Sequence, residues 1–176
     1  MNMRRIRRTS RFAAQRGFTM FEILITLFLL AMWLLGSAGV QSASLQYNKA
    51  AQFRTQAVYF ATDLAERMQA NKAGATAGNY SYAGGTATAT TACITAACSP
   101  ADLATFDLAE VSARVTAALP GGTVTAQPVG AIGNPVTYTI VVSWTDRRND
   151  RSVTASGQTE SFSYTATKTV FDTSAL

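Results

Sequence analysis

The sequence predicts an α+β fold: a long N-terminal helix packed on a small antiparallel sheet, with one extra short helix. Three observations carry that prediction. Residues 18–40 form an apolar run, and beyond it apolar side chains recur at Phe53, Ala57, Phe60, Leu64 and Met68, the spacing of one helix face. Leu108, Val111, Val115 and Leu119 make a second helical stripe. After Pro120 the period drops to two, with Val136, Tyr138, Ile140, Val142 and Trp144 alternating against mostly polar neighbours, and Phe162 and Tyr164 repeating the pattern. That is the signature of strands with one buried face.

The first 17 residues hold six arginines (Arg4, Arg5, Arg7, Arg8, Arg11 and Arg16) and no acid. The next 23, Phe18 to Val40, hold one charge, Glu22. As a helix this run measures about 35 Å at ~1.5 Å per residue, enough to cross a bilayer core of ~30 Å. The basic flank is expected to stay cytoplasmic, which places the C-terminal domain on the far side. Three readings of the N-terminus are open. It is an uncleaved signal anchor; or a signal peptide cut near Ser42-Ala43-Ser44, although the run exceeds the ~7–15 apolar residues of such peptides; or a segment cut between Gly17 and Phe18 that leaves the apolar helix in place. Glu22 needs a partner or a task in any of them, because an ionised acid near the bilayer interior costs a few kcal/mol.

The formal charge of +5 belongs to the leader, since from Phe18 onward nine Lys/Arg face ten Asp/Glu. Bulk attraction to nucleic acid is therefore not expected. The chain has no histidine, which excludes His-based triads and the commonest zinc ligand. It also lacks a Gly-x-Ser-x-Gly elbow, a metal-ligand cluster and a phosphate loop. Neither an enzyme nor a cofactor is expected. The two cysteines, Cys93 and Cys98, fall on the translocated side, where a small disulfide loop is the default.

From Gln41 to Lys72 there is no Pro or Gly, so the apolar helix is expected to continue to Lys72 as an amphipathic one. Gly36 and Gly39 mark an expected bend or melting point, at ~1 kcal/mol of lost helix stability each. Asp63, Glu66, Arg67 and Lys72 lie off the stripe, with no pair counted between Glu66 and Lys72. Ala73 to Ala92 reads as a surface loop of small residues, with Asn79-Tyr80-Ser81 matching a glycosylation sequon that chance often produces. Ser99, Pro100 and Asp102 supply a cap, a first-turn proline and an acid three residues on, which starts a helix over about 100–118. Pro120-Gly121-Gly122 ends it. Thr123 to Val129 adds a third strand, and Asp146 to Arg151 is a polar hairpin tip whose arginines are solvated. The helix from Ala50 to Met68 covers the apolar face of the sheet. The chain thus divides into a leader (1–17), an apolar helix (18–40), its amphipathic continuation (41–72), a variable loop (73–99) and a helix with antiparallel strands (100–176).

The string Arg16-Gly17-Phe18-Thr19-Met20-Phe21-Glu22, joined to a basic leader and an apolar run, resembles the class III signal of type IV prepilins. Met20-Phe21 replaces the commoner Leu-Ile. The resemblance implies cleavage after Gly17, N-methylation of the new terminus Phe18, and pairing of the Glu22 carboxylate with a neighbouring subunit's α-amino group. Ala61 to Lys72, Cys98 to Ala104, Phe106-Asp107-Leu108, Leu119 to Gly122 and Val142 to Asp146 are similar to PilV-type minor pilins, the pilus modification proteins, although that family often has Trp where this chain has Val111. A type IV pilin-like fold and an assembly role follow from the likeness: a single-pass inner-membrane precursor with a periplasmic domain, later carried in the fibre at the cell surface. Its implied partners are a prepilin peptidase, other minor and major pilins, the inner-membrane assembly platform and membrane lipid, in the service of pilus biogenesis, twitching or adhesion. A minor pseudopilin of a type II secretion system shares the leader, the helix and the sheet and is one alternative. A membrane-anchored adhesin using the 73–98 loop is the other alternative.

Overall fold

The computed structural model describes residues 17–85, 87–88, 93–147 and 159–173. The elements in chain order are α1 (Met20–Ala70), α2 (Lys72–Thr76), α3 (Pro100–Ala118), β1 (Thr123–Pro128), β2 (Val136–Arg147) and β3 (Thr159–Val170). The chain divides into two compact units within α1, one ending at Gln46 and the other beginning at Tyr47.

In the first unit α1 is helical without interruption from Met20, through Gly36 and Gly39. The melting point expected at these glycines is absent. Each glycine costs the helix only ~1 kcal/mol, and helix formation is cooperative, so formed turns on both sides carry the pairing through. The large apolar side chains from Phe18 to Leu45 are exposed, Phe18 at 78% and Trp33 at 69%. This is the one segment among the described residues long and apolar enough to cross a membrane.

In the second unit the expected stripe is the buried one. Phe53, Ala57, Phe60, Leu64 and Met68 join a single core with Leu108, Val111 and Val115 of α3 and Tyr138, Ile140, Val142 and Trp144 of β2. The sheet is antiparallel throughout, in the order β1-β2-β3. Thr123 pairs with Ser143, and Trp144 with Phe162, so the period-two residues all face the helices. Phe162 and Tyr164, on the outer strand, are only half-buried. Of the expected hairpin tip, Asp146 and Arg147 instead belong to β2, opposite Glu160 and Thr159 on β3; residues 148–151 of that tip, and residues 1–16 of the leader, lie outside the described residues.

Two local expectations change. The amphipathic helix stops at Ala70, not Lys72, and the stretch read as a loop from Ala73 opens with α2. Asn71 is the reason: its side chain accepts from the Gly74 amide at 3.2 Å and caps the new helix. A Cβ on Gly74 would lie 2.5 Å from the Asn71 amide nitrogen and 2.7 Å from the Pro100 carbonyl, so only glycine fits. Tyr80 is fully buried, and Tyr82 bridges Ala126 on β1.

The start of α3 is as read. Ser99 caps it, its hydroxyl accepting from the Asp102 amide at 3.2 Å and donating to the Asp102 carboxylate at 2.7 Å. At the other end the Pro120 carbonyl accepts from the Thr145 amide at 2.8 Å, tying the end of α3 to β2.

Candidate functional site

Two regions carry the polar chemistry. The first is the start of α1. Thr19 caps it: its hydroxyl accepts from the Glu22 amide at 3.2 Å, and its carbonyl accepts from the Glu22 and Ile23 amides at 3.1 and 3.2 Å. Thr19-Met20-Phe21-Glu22 is thus the threonine-to-glutamate spacing of a capping box, a signal in the sequence that the motif reading passed over. A carboxylate in the first helical turn also meets the positive end of the helix dipole, worth about 0.3–1 kcal/mol where solvent reaches it. Gly17 precedes the cap with open space around it, and a Cβ there would meet nothing within 4 Å. Phe18 is exposed beside it. An apolar surface all round a helix, with one acid at its tip, offers no chemistry; it offers packing against lipid or other helices.

The second region joins α1 to α3, and the sequence reading missed it. The Arg67 guanidinium donates to Asp107 at 2.9 Å, to Glu110 at 2.8 Å and to Asp63 at 3.3 Å. Arg114 donates to the other Asp63 oxygen at 2.7 Å and to the Tyr59 hydroxyl at 3.3 Å, and its guanidinium lies over the Tyr59 and Phe60 rings. Beneath them the Tyr80 hydroxyl donates to Asp107 at 2.6 Å. Asn71 completes the array, donating to the Pro100 carbonyl at 2.7 Å and to the Tyr80 oxygen at 3.3 Å. Burial alone would lower the proton affinity of Arg67, but its bonds to Glu110 and Asp107 and the charge of Asp63 outweigh this and hold it above the ordinary arginine range. Burial, then the bond to Asp107, pushes the Tyr80 phenol well above the usual tyrosine value. Every charge in this array has a partner, so it locks two helices and leaves no group free to act on a substrate.

Cys93 and Cys98 are joined by a disulfide, with Cα atoms 5.6 Å apart. The bridge closes a loop directly before the Ser99 cap, and Ile94 in that loop is 81% exposed. Gly17, Phe18 and Glu22 lie in the first unit and the cysteines in the second. Among the described residues no group of His, Cys, Asp and Glu could hold a metal.

Two family models match parts of the chain. Residues 39–109 match the Tt1218-like family model, described as type IV pilin Tt1218. That span runs from the apolar part of α1 into α3 and includes Arg67, Tyr80 and Asp107. Residues 12–38 match the prokaryotic N-terminal methylation motif, which takes in Gly17, Phe18 and Glu22. No curated protein and no solved structure matches the chain.

Proposed function

We propose that this chain, which matches a type IV pilin family model over residues 39–109 and the N-terminal methylation motif over residues 12–38, assembles rather than catalyses and is a minor pilin of the PilV type. The precursor enters the inner membrane with its arginines inside and its second unit in the periplasm. Prepilin peptidase cuts between Gly17 and Phe18 and methylates the Phe18 amine. The subunit then joins a bundle of pilin helices with help from the membrane assembly platform and reaches the cell surface in the fibre, in support of twitching or adhesion.

The observation that carries this reading is α1 itself. From Phe18 to Leu45 its large apolar side chains are exposed and its one charge is Glu22. In a helix bundle the low dielectric strengthens attraction between opposite charges, so a neighbour's amine offsets the cost of burying that carboxylate. Cleavage at Gly17 supplies such an amine at the tip of every subunit, and the capped first turn holds Glu22 close behind it.

Mass spectrometry of the protein recovered from sheared fibres tests the proposal. The expected N-terminus is N-methylated Phe18. An intact leader, or a terminus near Leu45, overturns it.

A further inference from the structure

The second unit, the head, carries a groove of about 250 Å³ lined by Ala50, Ala51, Arg54, Trp144, Asp146 and Phe162. Trp144 and Phe162 stack with ring centroids 6.1 Å apart and planes 24° from parallel, an aromatic wall suited to a cation. Arg54 is exposed and Asp146 half-buried, so the groove presents one charge of each sign. A simple anion is repelled by one of these charges and a simple cation by the other; a ligand that carries both signs matches the pair. Position along the chain narrows the choice. The groove residues of α1 come ten to fourteen positions after Val40, where the apolar run ends. Tyr47, 78% exposed, stands between, and tyrosines concentrate at the level of lipid head groups. The only charges between Glu22 and Asp63 are Lys49 and Arg54, both of the sign that attracts phosphate.

We infer that the groove holds the head group of a phosphatidylethanolamine from the leaflet on the head's side of the membrane, with its phosphate on Arg54 and its ammonium between Asp146 and the Trp144–Phe162 wall. This rests on the membrane-inserted state in the reading above and names the lipid bound in that state. Each part of the head group meets its chemistry. A guanidinium takes a phosphate through paired N–H donors. A primary ammonium offers three N–H donors to a carboxylate and its charge to the ring faces. A choline head group keeps the charge but has no N–H to offer. A carboxylate accepts from several donors at once, so Asp146 takes the amine without giving up bonds it already makes. The volume is below the ~300–1,000 Å³ of pockets that enclose whole drug-sized ligands, so a head group fits and the acyl chains stay in the bilayer.

The test uses the full-length chain in neutral-detergent micelles doped with phosphatidylethanolamine and phosphatidylcholine of identical acyl chains, with the retained lipid counted by native mass spectrometry. Both lipids are zwitterionic, so the arginines of the leader do not bias the comparison. Phosphatidylethanolamine is expected to be retained about 10-fold over phosphatidylcholine. Arg54→Gln is expected to lower retention of both lipids alike, by about 10-fold, because the phosphate is common to them. Asp146→Asn is expected to remove most of the preference while leaving phosphatidylcholine retention unchanged, a change of ratio that loss of folding does not produce. Ala51→Trp fills the groove from an exposed position and is expected to abolish the preference, whereas Val129→Trp, exposed and outside the groove, is expected to preserve it. Glycerophosphoethanolamine, the same head group without acyl chains, is expected not to displace the lipid at equal concentration. Its displacing the lipid assigns the groove to a soluble zwitterion and overturns the inference. So does equal retention of the two lipids, or a preference indifferent to Asp146→Asn or Ala51→Trp. A chain that enters fibres with methylated Phe18 yet shows no preference rules out this site alone, whereas a selective chain absent from fibres rules out the minor-pilin role alone.

Discussion

Replacing Arg67 with methionine keeps the length and apolar stem of the side chain and removes the guanidinium that three carboxylates share. The cost can be worked out from each partner in turn. Asp63 retains Arg114 at 2.7 Å and loses little. Glu110, with a side chain 40% exposed, rehydrates, so its share is about 0–1 kcal/mol. Asp107 is different: its side chain is 8% exposed, and it would be left with Tyr80 as its named donor. Breaking a fully buried ion pair from one side costs roughly 3–5 kcal/mol. Discounted for the 22% exposure of Arg67, the sum is about 2–4 kcal/mol. For a unit of this size each kcal/mol lowers Tm by ~3–5 °C, so Arg67→Met is expected to melt about 10 °C lower. The assay is near-ultraviolet circular dichroism of the full-length protein in micelles, which reports aromatic packing in the head. Asp107→Asn in the Arg67→Met background should recover part of the loss, giving a coupling energy of at least ~1 kcal/mol in a double-mutant cycle. A shift below about 2 °C, or strictly additive effects, would refute the idea that the array locks α1 to α3.

Glu22→Val is expected to leave membrane insertion and Gly17 cleavage intact while sharply reducing recovery in sheared fibres, measured by immunoblot; normal recovery contradicts the pairing proposed for Glu22. Leu64 is fully buried at the centre of the core stripe, so Leu64→Ala should cost about 3 kcal/mol, and an equilibrium denaturation change under ~1 kcal/mol would show that the site collapses around the void. Burial raises the phenols of Tyr80 and Tyr138 above the usual tyrosine value, so the folded state favours their protonated forms. That contribution is complete below the unfolded value of about 10 and is lost as pH rises through the higher folded values. Stability should therefore fall above about pH 10, and Tyr80→Phe should flatten that slope; an unchanged slope in the variant assigns the effect elsewhere.

How much of this was legible depended on how far apart the partners stand in the chain. The core stripe of α1 and the two faces of β2 repeat at fixed intervals, so their burial follows from spacing alone. The start of α3 was equally plain, because Ser99, Pro100 and Asp102 satisfy the first turn among themselves. The lock between α1 and α3 was not legible as an ion array. Arg67 and Asp107 are 40 positions apart, and each taken alone resembles a solvated charge. One clue was present: Asp107 lies three residues after Ala104 and four before Val111, within an apolar stripe, and an acid there requires a buried partner. Asn71 followed by Gly74 was a second clue, marking a cap where a continued helix was expected. The small residues of 73–82 concealed a buried tyrosine because low complexity was taken for exposure.

The change of character along α1 follows from which surfaces each part has available. From Phe53 to Met68 apolar residues keep to one stripe, and the rest of the circumference is polar, because the head supplies one covering face. From Phe18 to Val40 the apolar surface runs all round, and the chain itself buries almost none of it. Helix propensity cannot account for that first stretch, since isolated helices in water are marginal even with good formers and a fully apolar one aggregates. Its apolar surface calls for cover from outside the molecule, which lipid would supply and, in the function proposed above, neighbouring pilin helices. Lipid accepts any sufficiently apolar helix and has no use for an acid at position 22. A stack of helices, each beginning with an amine, does. The presence of Glu22 in an otherwise uncharged run thus fits the assembly proposed above better than simple anchoring.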